Sequence, residues 1–501
     1  MPGEPIARPP ARALDALIVL GVKLAVSAAV LACGFRAVSD DDFARVVLAQ
    51  EWAAAPRLDP SGSSWLPLPF WLSGLGMMAL GRSLEVARAL AVALGLGAAL
   101  LVWVAARWLG LGRPAALAGA ILAAVFPWSA RLGVATVPEL YAAALCLVGV
   151  AAATQPSPGR RLWGALAMLG ACLSRYEPWL LGAGLSVLTL YDFLLAPAGR
   201  SRPRAQRALG ALAAGLAVAG PLAWLLHNAL AHGEALHFLR RVSDYERALL
   251  GARDPVLAAL RYPIAVVTQE PELALCAALL LPEAGRLGTA AVRRRVLLLA
   301  LLLLAGPCLG GLRGGAPTHH PERAVLAIWL LLCLLVAAAG HRLLGRASPR
   351  ARALLYCAGA ALLAAAAGWV RPRTVQAEPF ARRDAELAVG HAAGAAAGPA
   401  GRVLVEAADY GYFAVLAASG RPERFVLDRS IDPRHPLGAS SFASGPQLVR
   451  RLAEAGATHV VARPSPTTEA VLRAPLARAG PLGLWVAPAY PTGATPSGPI
   501  R

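Results

Sequence analysis

A chain of 501 residues that is 57% hydrophobic and only 15% charged, with a mean hydropathy of +0.55, lies outside the ordinary soluble class and reads as a polytopic membrane protein. The net charge of +19 does not indicate nucleic acid, because the basic residues, nearly all Arg, form short clusters between apolar segments instead of one patch. Seven cysteines, all in apolar segments and without CxxC spacing, exclude a disulfide framework and read as small membrane-core residues.

The first apolar run, residues 14–35, follows a short tail with Arg8 and Arg12. It resembles a signal peptide, but it has the ~20 residues a bilayer span needs and is taken as an uncleaved first helix. At its end stands SDDDFARV, with Asp40, Asp41 and Asp42 in a row. Next comes SWLPLPFWLSGLGMMALG, residues 64–81, apolar but opened by Pro67 and Pro69. Crossing there would invert every later loop, so it is placed along the outer interface, where Trp65 and Trp71 suit the headgroup region.

Further spans are expected at 86–106, 114–130, 138–153, 162–174, 178–195, 208–226, 271–284, 296–312, 324–340 and 353–370, about eleven transmembrane helices in all. The loops carrying Arg107 and Arg113, Arg160 and Arg161, Arg200–Arg207, Arg293–Arg295 and Arg342–Arg352 belong on the cytoplasmic side. The alternate loops then face outward, as does the tail. They hold Asp40–Asp42, Glu139, Arg175 with Glu177, residues 227–255, and His319 with His320. The N-terminus is therefore cytoplasmic.

The tail has a different texture. VLVE at 403–406, FVLD at 425–428 and HVVA at 459–462 read as strands, and QLVRRLAEAG after Gly445-Pro446 reads as a helix with Pro in its first turn. A small C-terminal α/β extracytoplasmic domain over 371–501 is thus expected behind a membrane domain over 1–370, whose outer loop 36–85 carries the acidic motif. The tail has no Gly-rich phosphate loop and no nucleophile elbow, which suits a lid, a docking surface or a cap.

The topology gathers four charged clusters on one side: Asp40–Asp42, Glu139 in VPELY, Arg175 and Glu177 in SRYEPW, and His319, His320 and Arg323 in THHPERAV. A carboxylate row can supply a general base. Guanidinium and imidazole groups can hold a phosphate and neutralise charge as it leaves. Charge at span edges is more often simply solvated, and any single cluster is weak testimony. His227, His232 and His237 recur every five residues, which does not keep one helical face, so no metal site is expected there.

An acidic pair in the first outer loop, an interfacial Pro/aromatic helix, a second acidic residue starting a later span and an outer α/β tail resemble the GT-C glycosyltransferases, most closely the protein O-mannosyltransferase and aminoarabinose transferase branch. DDFARVVLAQEWA, residues 41–53, is similar to that branch's acidic motif, with Asp41 first and Asp42 second. Glu139 resembles the second acidic position. SRYEPW, with Arg175, Tyr176 and Glu177, matches a turn where relatives place substrate-contacting residues, and HHPER resembles their later outer loop. The chain departs from the pattern in SSWLPLPFW, which lacks the Lys that relatives often carry, leaving Arg57, Arg175, His319, His320 or Arg323 for the donor phosphate.

The resemblance implies a polyprenyl-phosphate-sugar donor, inverting transfer to a lipid, polysaccharide or protein acceptor, and Asp41 as general base. No cofactor is required, although Asp41, Asp42 and Glu139 offer oxygen ligands to Mg²⁺ or Mn²⁺. The competing class is a transporter or flippase, which places ionisable groups near the bilayer midplane. The Arg, Ala, Gly and Pro bias suggests a bacterial cytoplasmic (inner) membrane.

Overall fold

The computed structural model describes residues 9–62, 64–251, 253–286, 288–314, 320–365, 382–398 and 400–488. The membrane part contains α1 (Pro9–Ala32), α2 (Asp40–Ala54), α3 (Leu68–Leu80), α4 (Leu84–Trp108), α5 (Arg113–Val125), α6 (Pro127–Leu132), α7 (Glu139–Ala152) and α8 (Pro158–Cys172). It continues through α9 (Pro178–Leu190), α10 (Arg204–His232), α11 (His237–Leu250), α12 (Pro255–Thr268), α13 (Pro271–Leu279), α14 (Ala290–Leu312), α15 (Leu326–Arg346) and α16 (Pro349–Ala365). Proline marks many of the starts, since its missing N–H costs nothing in a first turn: Pro114, Pro127, Pro158, Pro178, Pro255 and Pro271 all sit there.

Among the described residues, six helices are long and apolar enough to cross a membrane. Four shorter apolar helices accompany them: α3, α5, α7 and α12. This is a mostly helical, multi-pass membrane protein. The expected span over 271–284 is instead broken at Leu280, where α13 ends. α12 had no counterpart in the sequence reading, because Arg261 and Pro263 interrupt its apolar run. The 353–370 span lies partly outside the described residues.

Leu17, Leu212, Leu230 and Leu297 remain exposed on the long helices, Leu230 by 78%, as lipid-facing side chains should be. Inside, small residues bring backbones together. A Cβ on Gly182 of α9 would stand 2.6 Å from the Ala217 carbonyl of α10, and one on Gly164 of α8 would stand 2.1 Å from Ala152 Cβ. Close helix contact with Gly and Ala at the seam is how apolar helices associate without a hydrophobic driving force.

The two ends of α7 differ in chemistry. Glu139 begins it beside Arg175. At the other end the buried Arg161 donates to the carbonyls of Ala153 and Gln155 and pairs with Asp192, which also holds Arg295. Lys23, buried in α1, donates to the Ser129 carbonyl at 2.8 Å, close to the α5/α6 break at Pro127.

The C-terminal domain comprises α17 (Asp384–Ala397), β1 (Val403–Val405), α18 (Tyr412–Ser419), β2 (Phe425–Leu427), α19 (Gly445–Ala455), β3 (His459–Ala462), α20 (Pro466–Val471), β4 (Ala477–Ala479) and β5 (Leu482–Val486). The sheet order is β2-β1-β3-β5-β4. β1 pairs in parallel with both β2 and β3, while β5 runs antiparallel to β3 and β4. The three strands and one helix read from the sequence are present; β4, β5 and three further helices are additional. Gly480, at φ +53°, makes the tight β4/β5 turn.

The domain docks on α2. Phe43, Val46 and Val47 share one apolar core with Val389, Val403, Val415 and Val461. Buried Gln50 donates to the Ala417 carbonyl at 2.8 Å, and ion pairs Arg36–Asp384 and Arg82–Glu423 close the rim.

Candidate active site

Between α2, the SRYEPW turn, α11 and the C-terminal domain lies a cavity of about 530 Å³. Ser39 precedes α2, and three carboxylates form its first turn, a favourable place for negative charge at the positive end of the helix dipole. Successive helical residues point about 100° apart. The aspartate row is therefore split three ways.

Asp40 turns to the C-terminal domain, where Arg383 Nε and Nη2 donate to its two oxygens at 3.0 and 2.8 Å. Asp41 lines the cavity and accepts from Arg323 Nη1 at 3.3 Å. Asp42 turns into the protein body. Its carboxylate accepts from the backbone N–H groups of Val38, Ser39 and Thr136 and lies 3.3 Å from the Thr136 hydroxyl. Burial pushes the Asp42 carboxyl up to about 6, against the opposing pull of Arg323 and the Thr136 amide.

Glu139 is buried and does not line the cavity. It accepts from Arg175 Nη1 at 2.7 Å, and Arg175 also grips Glu177 through Nε at 3.1 Å and through Nη2. The pair two residues apart in SRYEPW is thus a three-member ion network that faces the cavity through Arg175 and Glu177. The two flanking carboxylates hold the Arg175 guanidinium firmly protonated. Tyr176 donates to the Ser64 carbonyl, accepts from Trp224 Nε1 at 3.2 Å and stacks on Phe238 at 4.7 Å, so it fastens the turn to the outer loop and to α11.

Arg323 is only 5% exposed and donates to Ser39 Oγ at 2.7 Å as well as to Asp41. His320 lines the cavity, with Nδ1 3.1 Å from Glu322 Oε1. His319 lies outside the described residues. Arg57 does not reach the cavity: it is exposed and donates to the Pro60 carbonyl of its own loop.

The residue the sequence reading missed is Arg45. Its guanidinium is 8% exposed, lines the cavity and lies 4.5 Å from the Trp65 ring centroid, yet Nε has no hydrogen-bond partner and the side chain has no ion pair among the described residues. Burial lowers its pKa, offset by Glu139 and Asp41. A buried guanidinium without an acceptor is costly, and an anionic ligand would satisfy it. A sequence signal existed: Arg45 follows Asp41 by four residues on one helix, so the two share a face. Arg241, Tyr245, Tyr410, Phe413 and Arg434 were also missed and also line the cavity.

The metal set read from sequence does not assemble. Asp42 accepts from the donors named above, Asp41 pairs with Arg323, and Glu139 pairs with Arg175 through Oε1 while its Oε2 has no hydrogen-bond partner; their ligand atoms do not converge among the described residues. A different group does converge: Asp59, His227 and His232 present ligand atoms within 4.8 Å of one another, with His227 Nε2 3.5 Å from Asp59 Oδ2. His237 is not part of this group, in which the imidazoles of His227 and His232 near the end of α10 lie beside one loop carboxylate.

No protein-family model matches the chain, and no curated protein matches it in sequence. Solved structures do. ArnT from Cupriavidus metallidurans bound to undecaprenyl phosphate superposes with a TM-score of 0.57 at 17% identity, covering 97% of this chain and 98% of ArnT. The apo state of the same enzyme gives 0.57 at 16% identity, with 95% and 98% covered. An Archaeoglobus fulgidus oligosaccharyltransferase in complex with Zn and sulfate gives 0.50 at 13%, covering 91% of this chain and 68% of that one. The shared property is the fold, which is the one the GT-C resemblance implied.

Proposed function

We propose that this chain is a membrane glycosyltransferase that moves a sugar from a polyprenyl-phosphate donor to an acceptor at the outer face of a bacterial cytoplasmic membrane. The observation that carries the reading is the pairing, in one cavity beside apolar helices, of the Asp41 carboxylate with the buried, acceptor-less guanidinium of Arg45. The undecaprenyl phosphate held by ArnT on the same fold supports the donor class.

In this reading the acceptor hydroxyl gives its proton to Asp41 and its oxygen attacks the anomeric carbon from the face opposite the phosphate. The bond between that carbon and the phosphate oxygen breaks, and the oxygen leaves with the electron pair. The leaving phosphate gains one negative charge, which Arg45 neutralises from a position fixed before the reaction, at no cost of reorganisation. Arg323 keeps Asp41 oriented, and Asp42 and Glu139 act one step back, anchoring the helix start and Arg175. No step passes through a cation.

The test is transfer of labelled sugar from a panel of polyprenyl-phosphate donors in membranes. Asp41→Asn should reduce transfer by about 10²–10⁴-fold at matched folding. Transfer that survives this change removes Asp41 from the role of base. Substrate flux across vesicles without a new glycosidic bond, in the wild type, would establish the transporter reading instead.

A further inference from the structure

Every carboxylate that lines the cavity has a guanidinium: Asp40 has Arg383, Asp41 has Arg323, Glu177 has Arg175 and Glu246 has Arg261. Of the guanidiniums that line it, Arg434 is paired with Asp432. Two are left without a hydrogen-bond acceptor or ion pair among the described residues. One is Arg45, at the donor end. The other is Arg241 of α11, half-buried and also lining the cavity.

Arg241 shares the cavity lining with a second guanidinium, that of Arg434. Burial and then repulsion from Arg434 lower its pKa, with Asp432 and Asp59 pulling the other way, so two guanidiniums stand near one another with only one fully matched. Arg434 lies 5.9 Å from the Tyr245 ring centroid. Tyr245 is joined to Tyr410 by a 3.2 Å hydroxyl contact.

The C-terminal sheet explains why these groups meet. Tyr410 and Phe413 follow the carboxyl end of β1, and Arg434 follows that of β2, its parallel neighbour. β1 and β2 are parallel neighbours, so the chain leaves both at the same edge of the sheet. In open α/β sheets ligands bind outside the carboxyl ends of the strands. Here that edge opens onto the membrane cavity.

We propose that Arg241 and Arg434, with Tyr245 and Tyr410, form an acceptor subsite, and that the acceptor carries an oxyanion, a phosphomonoester or a carboxylate, next to its reacting group. The inference rests on the glycosyltransferase reading for the word acceptor; the second anion site itself does not. Two unmatched guanidiniums on different helices, α2 and α11, give two anion sites, one for the donor phosphate and one for the acceptor. The C-terminal domain is then a specificity element rather than a cap.

The experiment uses the full chain in nanodiscs. Polyprenyl phosphate is first titrated, and then, with that site saturated, inorganic phosphate and acetate are titrated separately, with intrinsic fluorescence as readout. The wild type should bind phosphate or acetate in the presence of polyprenyl phosphate; which of the two binds identifies a phosphomonoester or a carboxylate acceptor. Arg241→Gln should weaken that second binding by about ten-fold or more and leave polyprenyl phosphate affinity unchanged, while Arg45→Gln should do the reverse. Arg241→Lys should recover part of the anion affinity, which separates lost charge from lost folding.

Absence of a second anion site in the wild type, or equal anion binding by Arg241→Gln, overturns the subsite. So does a loss of polyprenyl diphosphate affinity, with monophosphate affinity intact, in Arg241→Gln, because both guanidiniums would then serve one donor. Failure of the wild type to bind polyprenyl phosphate defeats the donor reading alone, since the anion titration against Arg241→Gln still reads this site.

Discussion

At the scale of the residue, three identical neighbours have three fates because a helix turns each into a different surrounding. Asp42 illustrates how position sets chemistry. Its folded pKa, about 6, stands above the ordinary 3.8, so the native state binds its proton more tightly than the unfolded chain does. The stabilisation this gives is fully present below about pH 4 and is lost as pH rises through about 6. Asp42→Asn cannot titrate, and it keeps an oxygen either for the amides of Val38 and Ser39, which donate to Oδ2, or for that of Thr136, which donates to Oδ1, but not for both; this loss is the same at every pH. Thermal unfolding of the wild type in detergent should therefore fall relative to Asp42→Asn by on the order of 3 kcal/mol between pH 4 and 7. A pH-independent difference between the two proteins would show that Asp42 is ionised throughout.

At the scale of the element, close seams between helices limit what the membrane part tolerates. A methyl at Gly182 must displace the Ala217 carbonyl, 2.6 Å away, and backbone of a packed helix does not yield cheaply. Gly182→Ala should cost about 1–3 kcal/mol. Gly97 on α4 meets nothing within 4 Å, so Gly97→Ala should be neutral or stabilising, by up to about 1 kcal/mol from helix propensity. Paired thermal midpoints in the same detergent check both; an equal response would mean that seam packing does not control stability here. The same element logic accounts for the short helix α3, whose 13 residues rise about 20 Å and fall short of a bilayer core.

At the scale of the molecule, the C-terminal domain is tied to the aspartate row of α2 by Arg383. Asp40 is chelated by Arg383, and Arg383 Nη1 also meets Glu386 and Asp409 at 3.0 and 3.2 Å. Arg383→Ala leaves Asp40 without its partner at a largely covered junction, a loss of about 2 kcal/mol for charge-assisted bonds. Hydrogen exchange should rise along α17 and the start of α2, and sugar transfer should fall less than with Asp41→Asn. Unchanged exchange would locate the domain's attachment in the apolar core of α2 alone.

What the sequence alone determined follows from properties that are local along a chain. Hydropathy marked the apolar helices, Arg clusters separated the two ends of α7, Gly445-Pro446 placed the start of α19, and short apolar runs found β1, β2 and β3. The four charged clusters were also legible, as was the likeness of DDFARVVLAQEWA to an acidic motif. The partition of Asp40, Asp41 and Asp42 was not, because it depends on what packs against each face of α2, including Arg383, 343 residues from Asp40. Arg45 was visible beside Asp41, but its lack of an acceptor is a statement about burial. Arg241 and Arg434 come together only because the C-terminal sheet presents its carboxyl edge to the cavity, and the Asp59, His227 and His232 group forms only where a loop meets the end of α10. Composition and periodicity sum along neighbouring residues; ion pairing, burial and cavity lining are set by contacts across hundreds of residues, and those only the tertiary structure decided.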